Sequence, residues 1–160
     1  MLVAEVLNKY SACSESIKWV GKRKVPKVAW DACLRGDWLL WIAAMVGVKR
    51  EIVVFAACQC ARLSLKHTED PRVLECIEVT EAWTKGKATL VEVEAARRAA
   101  AVASDDAGYA AYAAAAAAAV ASAYAAAAYA AAAGRKKTQK ACAMLVRKHI
   151  PWKFIAEKLK

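Results

Sequence analysis

The chain is poor in the residues that make turns, since it contains only 6 glycines and 3 prolines among 160 residues. Average usage of the two together is about 12 %, or about 19 residues in a chain of this length. A protein with many strands needs many tight turns, so this scarcity argues against a many-stranded β-protein and favours a few long helices. Hydrophobic residues make up 59 % of the chain, which excludes a wholly disordered protein.

Motifs that carry chemistry are also missing. The sequence has no glycine-rich phosphate loop, no Gly-x-Ser-x-Gly elbow and no His-Glu-x-x-His helix. It contains two histidines and six cysteines but no Cys-x-x-Cys pair, the short spacing that zinc sites usually show. We therefore expect a protein that is not an enzyme and that holds no metal and no cofactor.

The cysteines lie in apolar surroundings, as in Ala56–Ala61. Cys58 and Cys60 would lie about 200° apart around a helix, so they are badly placed to share a metal. We predict that the cysteines are small buried hydrophobes in a reducing cytoplasm. They are Cys13, Cys33, Cys58, Cys60, Cys76 and Cys142.

Residues 107–133 carry no charge, and 20 of these 27 residues are alanine. The segment is long enough to cross a membrane, but it lacks the strongly inserting Leu, Ile and Phe and contains four tyrosines. It predicts a helix buried in protein rather than a membrane span. The pattern of a secretory leader is likewise missing from Met1–Tyr10.

Helix signals recur along the whole chain. Asp70 before Pro71 is typical of a helix start, Thr89 and Glu92 form a capping box, and Asp37 is placed to cap a helix that begins at Trp38. The alanine-rich segment would span about 40 Å as a helix. We predict a single all-α domain over 1–160, a bundle of about seven or eight helices around a long alanine-rich central helix.

The positive charge is concentrated at the end of the chain. The formal net charge is +10, and residues 134–160 contribute nine basic side chains against only Glu157. This basic C-terminal helical segment belongs to the same domain. It predicts either a surface that attracts an anion or a basic tail that only keeps the protein soluble.

Aromatic residues accompany these cations. Arg147 and Lys148 lie close to Trp152, so that cations could hold a phosphate while the indole stacks on a base. The alternative is that Trp152 packs as an ordinary core residue. Tyr112 belongs to a stripe of tyrosines on one face of the alanine-rich helix, and this stripe could either pack in the core or line a ligand site. Trp38 is one of the large residues that would surround the alanine-rich helix.

Arg62 interrupts the apolar helical stretch Cys58–Leu65, where burying an unpaired charge would lower the stability of the fold. Either Asp37 or a glutamate neutralises it, or it faces a cavity that an anion fills. The predicted ligand-binding residues are Arg62, Arg147, Lys148, Trp152, Tyr112 and Trp38.

Several stretches resemble the immunity-protein-five-like family, a helical family found beside bacterial toxin genes and in phage genomes. They include Cys13–Gly21, Ala29–Ala43 with Gly-Asp-Trp-Leu-Leu-Trp, and Val146–Trp152 with Arg-Lys-His-Ile-Pro-Trp. The resemblance covers nearly the whole chain. It implies an all-α binding protein without enzymatic chemistry.

Two functions follow as expectations. The first is a phage or bacterial counter-defence protein that sequesters an anionic small molecule, a nucleotide-type immune signal, in the cytoplasm. The alternative is an immunity protein that binds a cognate toxin directly; because a +10 chain would be repelled by a basic nuclease, that toxin should be acidic. No specific nucleic-acid partner and no membrane partner are expected, while alanine faces would permit a homo-oligomer.

Overall fold

The structure, a computed structural model, describes residues 3–102 apart from residues 22, 24, 64 and 68, together with residues 135–159. These residues form nine α-helices, a 3-10 turn between the fifth and the sixth helix, and no strand. The helices are α1 (Val3–Lys9), α2 (Ser14–Val20), α3 (Pro26–Ala32), α4 (Gly36–Met45), α5 (Arg50–Arg62), α6 (Pro71–Thr84), α7 (Leu90–Val102), α8 (Arg135–His149) and α9 (Trp152–Lys158), and the turn is Leu65–His67.

The prediction of an all-α protein is confirmed, and the helix number in the described ranges is close to the seven or eight expected. The alanine-rich segment 107–133, predicted to be the central helix, lies outside the described residues, as does Tyr112.

Two predicted helix starts are found as expected. Asp70 caps α6, since its Oδ1 accepts a hydrogen bond of 2.9 Å from the backbone N–H of Arg72, and Pro71 takes the first helical position. At α7 the capping box closes in both directions. Glu92 Oε2 accepts from the backbone N–H of Thr89 at 2.7 Å, and Thr89 Oγ1 accepts from the N–H of Glu92 at 3.2 Å. Local side-chain chemistry therefore sets these boundaries.

The predicted cap of α4 is wrong. Helix α4 begins at Gly36, and Asp37 lies inside its first turn without capping it. The Asp37 side chain is only 1 % exposed, so its charge requires a partner. Arg35 supplies one, because its Nε and Nη2 donate to the two carboxylate oxygens at 2.9 and 2.6 Å.

The centre of the fold is α5, which packs against α6 on one side and α8 on another. Its buried positions are small, and Ala57, Cys58 and Ala61 are completely buried. Small side chains let helix axes approach closely. The same is true where α4 meets α8: a Cβ built on Gly36 would overlap the Cβ of Cys142, so only glycine fits there.

Five of the six cysteines are buried, as predicted, and Cys13 is the exception because it is exposed. The short N-terminal helices form a second, smaller apolar cluster, which contains Leu7, Val20 and Ala29. Trp19 of α2 and Ile42 of α4 pack against both this cluster and the main core, and so join the two.

Candidate functional site

Arg62 has its counter-charge inside the fold. Its Nε donates to Glu81 Oε1 at 2.7 Å and its Nη2 to Glu81 Oε2 at 2.9 Å, which forms a two-pronged pair between α5 and α6. Gln59 Nε2 also donates to Glu81 Oε1 at 2.7 Å. Hydrogen bonding to Glu81 raises the pKa of Arg62. Of the alternatives open from the sequence, a glutamate neutralises Arg62, and its assignment as an anion ligand is corrected on that ground.

Arg147 also serves the fold. Its Nη1 donates to the carbonyl oxygen of Cys33 at 2.6 Å and to that of Trp30 at 3.3 Å. These carbonyls lie at the C-terminal end of α3, where a helix has unsatisfied acceptors and a partial negative charge. Arg147 therefore joins α8 to the end of α3. Its side chain caps the C-terminal carbonyls of α3, in place of the ligand-binding role predicted for it.

Lys148, in contrast, is exposed at the end of α8. Trp152 is half-buried and packs against the core, with its ring centroid 6.4 Å from that of Trp30. Trp38 packs edge-on against Trp19 at 5.8 Å, and the Arg35 guanidinium lies 4.5 Å from its ring centroid. The predicted site residues are thus not gathered in one place.

Trp38 and Trp152 do meet at one feature, an apolar cavity of about 80 Å³ between the N-terminal helices, α4 and α9. Five of the six tryptophans line it. Among them, Trp30 is 4 % exposed, and its indole Nε1 is buried without a hydrogen-bond partner in the described part of the chain. We call this space the tryptophan cavity; its five indoles are Trp19, Trp30, Trp38, Trp41 and Trp152.

A second, larger space opens where the end of α8 faces α5, α6 and α9. This open cleft has a volume of about 310 Å³. Aromatic rings and charged groups share its walls, unlike those of the tryptophan cavity. We call it the His149 cleft; it is lined by Glu51, Ile52, Phe55, Thr84, Lys85, His149 and Phe154.

Aromatic contacts fix the geometry of the His149 cleft. The rings of Phe55 and His149 meet edge to face, with centroids 5.1 Å apart and an interplanar angle of 82°. Lys85 Nζ lies 5.4 Å from the ring centroid of Phe55. Burial, together with the positive charge of Lys148, lowers the pKa of His149, so the imidazole is neutral at neutral pH.

None of the described carboxylates forms a direct ion pair with the cations around the cleft, which are Lys85, Lys148 and Lys153. Lys153 lies beside the cleft, with its Nζ 5.4 Å from the ring centroid of Phe154. Glu51 is the one carboxylate among the described lining residues. The charge of Lys85 also reaches Glu81, whose pKa it helps to lower.

The sequence did not indicate the His149 cleft as a site. Phe55 matched the apolar spacing of a helix and would be taken for core, and Lys85 follows α6 without any motif. His149 lies within the basic run next to Trp152, which was the one available signal. Tertiary packing alone brings these residues together from four separate elements.

Comparison of the chain with protein-family models, with curated proteins and with solved structures gave no match. The resemblance to the immunity-protein-five-like family therefore stays a prediction. None of the helices in the described ranges is long and apolar enough to cross a membrane. Over the same ranges, no three or more His, Cys, Asp or Glu side chains are grouped as metal ligands would be.

Proposed function

We propose that this protein is a non-enzymatic binding protein that sequesters a small anionic ligand with a planar ring, and that the His149 cleft is its site. The observation that carries the proposal is one open space of about 310 Å³ that combines aromatic walls with Lys85, a lysine that no carboxylate in the described ranges pairs with directly. Ligand pockets usually begin at about 300 Å³, so the space suits a compact ligand.

The aromatic residues and the lysines would contact different parts of the ligand. Phe55 and Phe154 offer ring surface, and stacking of a base on an aromatic side chain is worth about 1–3 kcal/mol. Lys85 supplies a charge-assisted contact to an anionic group, with Lys148 and Lys153 adding attraction over a longer range. Since Glu51 opposes an anion, the phosphate should lie on the Lys85 side. A nucleotide combines both features, which agrees with the nucleotide-type immune signal expected from the sequence.

Binding is favoured over catalysis by the surroundings of His149. Its neutral imidazole packs edge-on against Phe55, and none of the described residues donates to it or accepts from it. A general base is normally oriented by a second polar group. The buried cysteines also fit a reducing compartment such as the cytoplasm.

One observation favours the second candidate, an immunity protein that binds an acidic toxin. Large apolar side chains are exposed on α3, on the loop after it and on α8: Val28 is 55 % exposed, Leu34 54 % and Met144 60 %. The exposed Lys140 and Lys148 lie on α8 with Met144. Exposed apolar side chains together with lysines suit a partner surface with acidic residues.

The cleft is tested by calorimetric titration of the protein with AMP, with other adenine and guanine nucleotides, and with uncharged adenosine. We expect a nucleotide to bind and adenosine to bind more weakly. Lys85→Ala should weaken nucleotide binding by about 10-fold or more, as expected for one charge-assisted contact. The matched control is Lys18→Ala, an exposed lysine on α2, which should bind as the wild type does.

Two results would overturn the proposal. One is that no nucleotide in the panel binds. The other is that nucleotides bind equally well to Lys85→Ala and to Lys18→Ala. A stable complex with an acidic toxin that is lost in Met144→Asp but kept in Lys85→Ala would instead support the second candidate.

A further inference from the structure

The tryptophan cavity is separate from the His149 cleft and has a different chemistry. It has a volume of about 80 Å³ and is bordered almost entirely by apolar side chains from α1, α2, α3, α4 and α9. Protein interiors are close-packed and leave few voids larger than a water molecule. Enclosed apolar cavities can stay dry and accept apolar guests.

A second observation concerns Trp30, one of the residues that line this cavity. Its indole Nε1 is buried and has no hydrogen-bond partner among the residues that the structure describes. Buried donors in native proteins are nearly always paired, and an unpaired one lowers stability. The backbone carbonyl oxygens of Trp30 and Cys33 accept from Arg147. An unpaired donor and an unfilled space thus occur at the same side chain.

We propose that the tryptophan cavity binds a small apolar molecule with a single hydrogen-bond acceptor, such as a short-chain ketone, and that the indole N–H of Trp30 donates to that acceptor. The size of the guest follows from the volume. Benzene fits a cavity of about 150 Å³, so the guest here is smaller than benzene. Because Nε1 is buried, this hydrogen bond requires the Trp30 ring to turn toward the cavity.

The test uses two probes, 2-butanone, which has an acceptor, and xenon, which has none, with NMR of the tryptophan indole N–H groups. Butanone should shift the Trp30 indole resonance in a saturable way, and xenon should bind without the hydrogen-bond shift. Trp83 is the internal control, because it does not line the cavity and its resonance should not move.

Two variants make the test specific. Ala29 lines the cavity and is 5 % exposed, so Ala29→Leu fills the space and should abolish binding of both probes. Trp30→Phe should keep xenon binding and weaken butanone binding about 3- to 10-fold, which corresponds to the loss of one hydrogen bond.

The proposal is overturned if butanone leaves the Trp30 resonance unchanged, or if it moves the Trp83 resonance equally. Undiminished binding to a folded Ala29→Leu variant would overturn it as well. If Trp30→Phe does not fold, the wild-type spectra and the binding measurements on Ala29→Leu still test the proposal. Neither probe bears on nucleotide binding in the His149 cleft, so failure here is distinct from failure of the proposed function.

Discussion

Arginine and lysine have different roles in this molecule. The guanidinium groups of Arg35, Arg62 and Arg147 each donate to fixed acceptors of the protein, two carboxylates and a pair of helix-end carbonyls. A planar guanidinium suits such fixed geometry, while an ammonium group is a mobile and strongly hydrated point charge. Lys85 and Lys148 are exposed and form no direct ion pair with a described carboxylate, so an outside anion can approach them.

Arg147 should therefore contribute to stability and not to ligand binding. Replacing it in Arg147→Met leaves the carbonyls at the end of α3 without their charged donor, so we expect a loss of about 1–3 kcal/mol in the free energy of unfolding. Urea denaturation measures the change. The neighbouring Lys148→Met should stay within about 0.5 kcal/mol of the wild type. Equal effects of the two substitutions would contradict the capping role.

The cysteines should differ sharply in reactivity, because only the thiolate reacts with alkylating reagents. Burial raises the pKa of Cys33 and that of Cys76 to about 11, and it also raises that of Cys58. Cys13 is exposed. Native protein should take up one alkyl group at neutral pH, as seen by mass spectrometry, and denatured protein six. The Cys13→Ser variant should take up none in the native state, and rapid labelling of further cysteines there would refute the packing described.

Among the helices, α5 and α6 are joined by a polar clamp at the edge of an apolar contact. Glu81 has a side chain only 12 % exposed and receives hydrogen bonds from both Arg62 and Gln59. Although burial of Glu81 tends to raise its pKa, the bonds from Arg62 hold the pKa below its usual value. The clamp therefore depends on both charges being present.

A double-mutant cycle measures this clamp. Glu81→Leu alone leaves the Arg62 charge without its partner and should lower the free energy of unfolding by about 2 kcal/mol. Adding Arg62→Met should restore part of that loss, because an apolar pair replaces a half-buried ion pair. The comparison pair is Lys27 and Asp31, which is exposed and should contribute less than about 1 kcal/mol. Additive effects at Glu81 and Arg62 would show that the two are not coupled.

At the scale of the whole molecule, pH should change stability through His149. Burial lowers the pKa of His149 in the folded protein, so the unfolded chain, with an ordinary histidine pKa of about 6.5, binds protons at a higher pH. Stability should then fall as the pH falls below about 6.5, since protonation favours the unfolded state. Asp70, with a pKa of about 2, titrates far below this interval.

Urea midpoints at about pH 5 and about pH 7 measure the effect, and His149→Gln should reduce the difference between them. An unchanged difference in the variant would assign the pH dependence to other groups.

The sequence predicted the helical fold well because helices are defined by local signals. The cap at Asp70 and the capping box at Thr89 and Glu92 depend on residues no more than three apart. The candidate site could not be predicted in the same way. The partner of Arg62 is 19 residues away in sequence and that of Arg147 is 114 residues away, so charge clusters did not reveal which cations the fold neutralises.

The account depends on an anion entering the His149 cleft, and NMR titration of the His149 imidazole with pH tests this. Without a nucleotide, the pKa of His149 should lie below its ordinary value, because burial and Lys148 disfavour the charged form. With saturating AMP the pKa should rise, since the phosphate stabilises the imidazolium, and the rise should be smaller in Lys85→Ala because its phosphate is held less firmly. An imidazole titration curve that is the same with and without AMP would contradict the account.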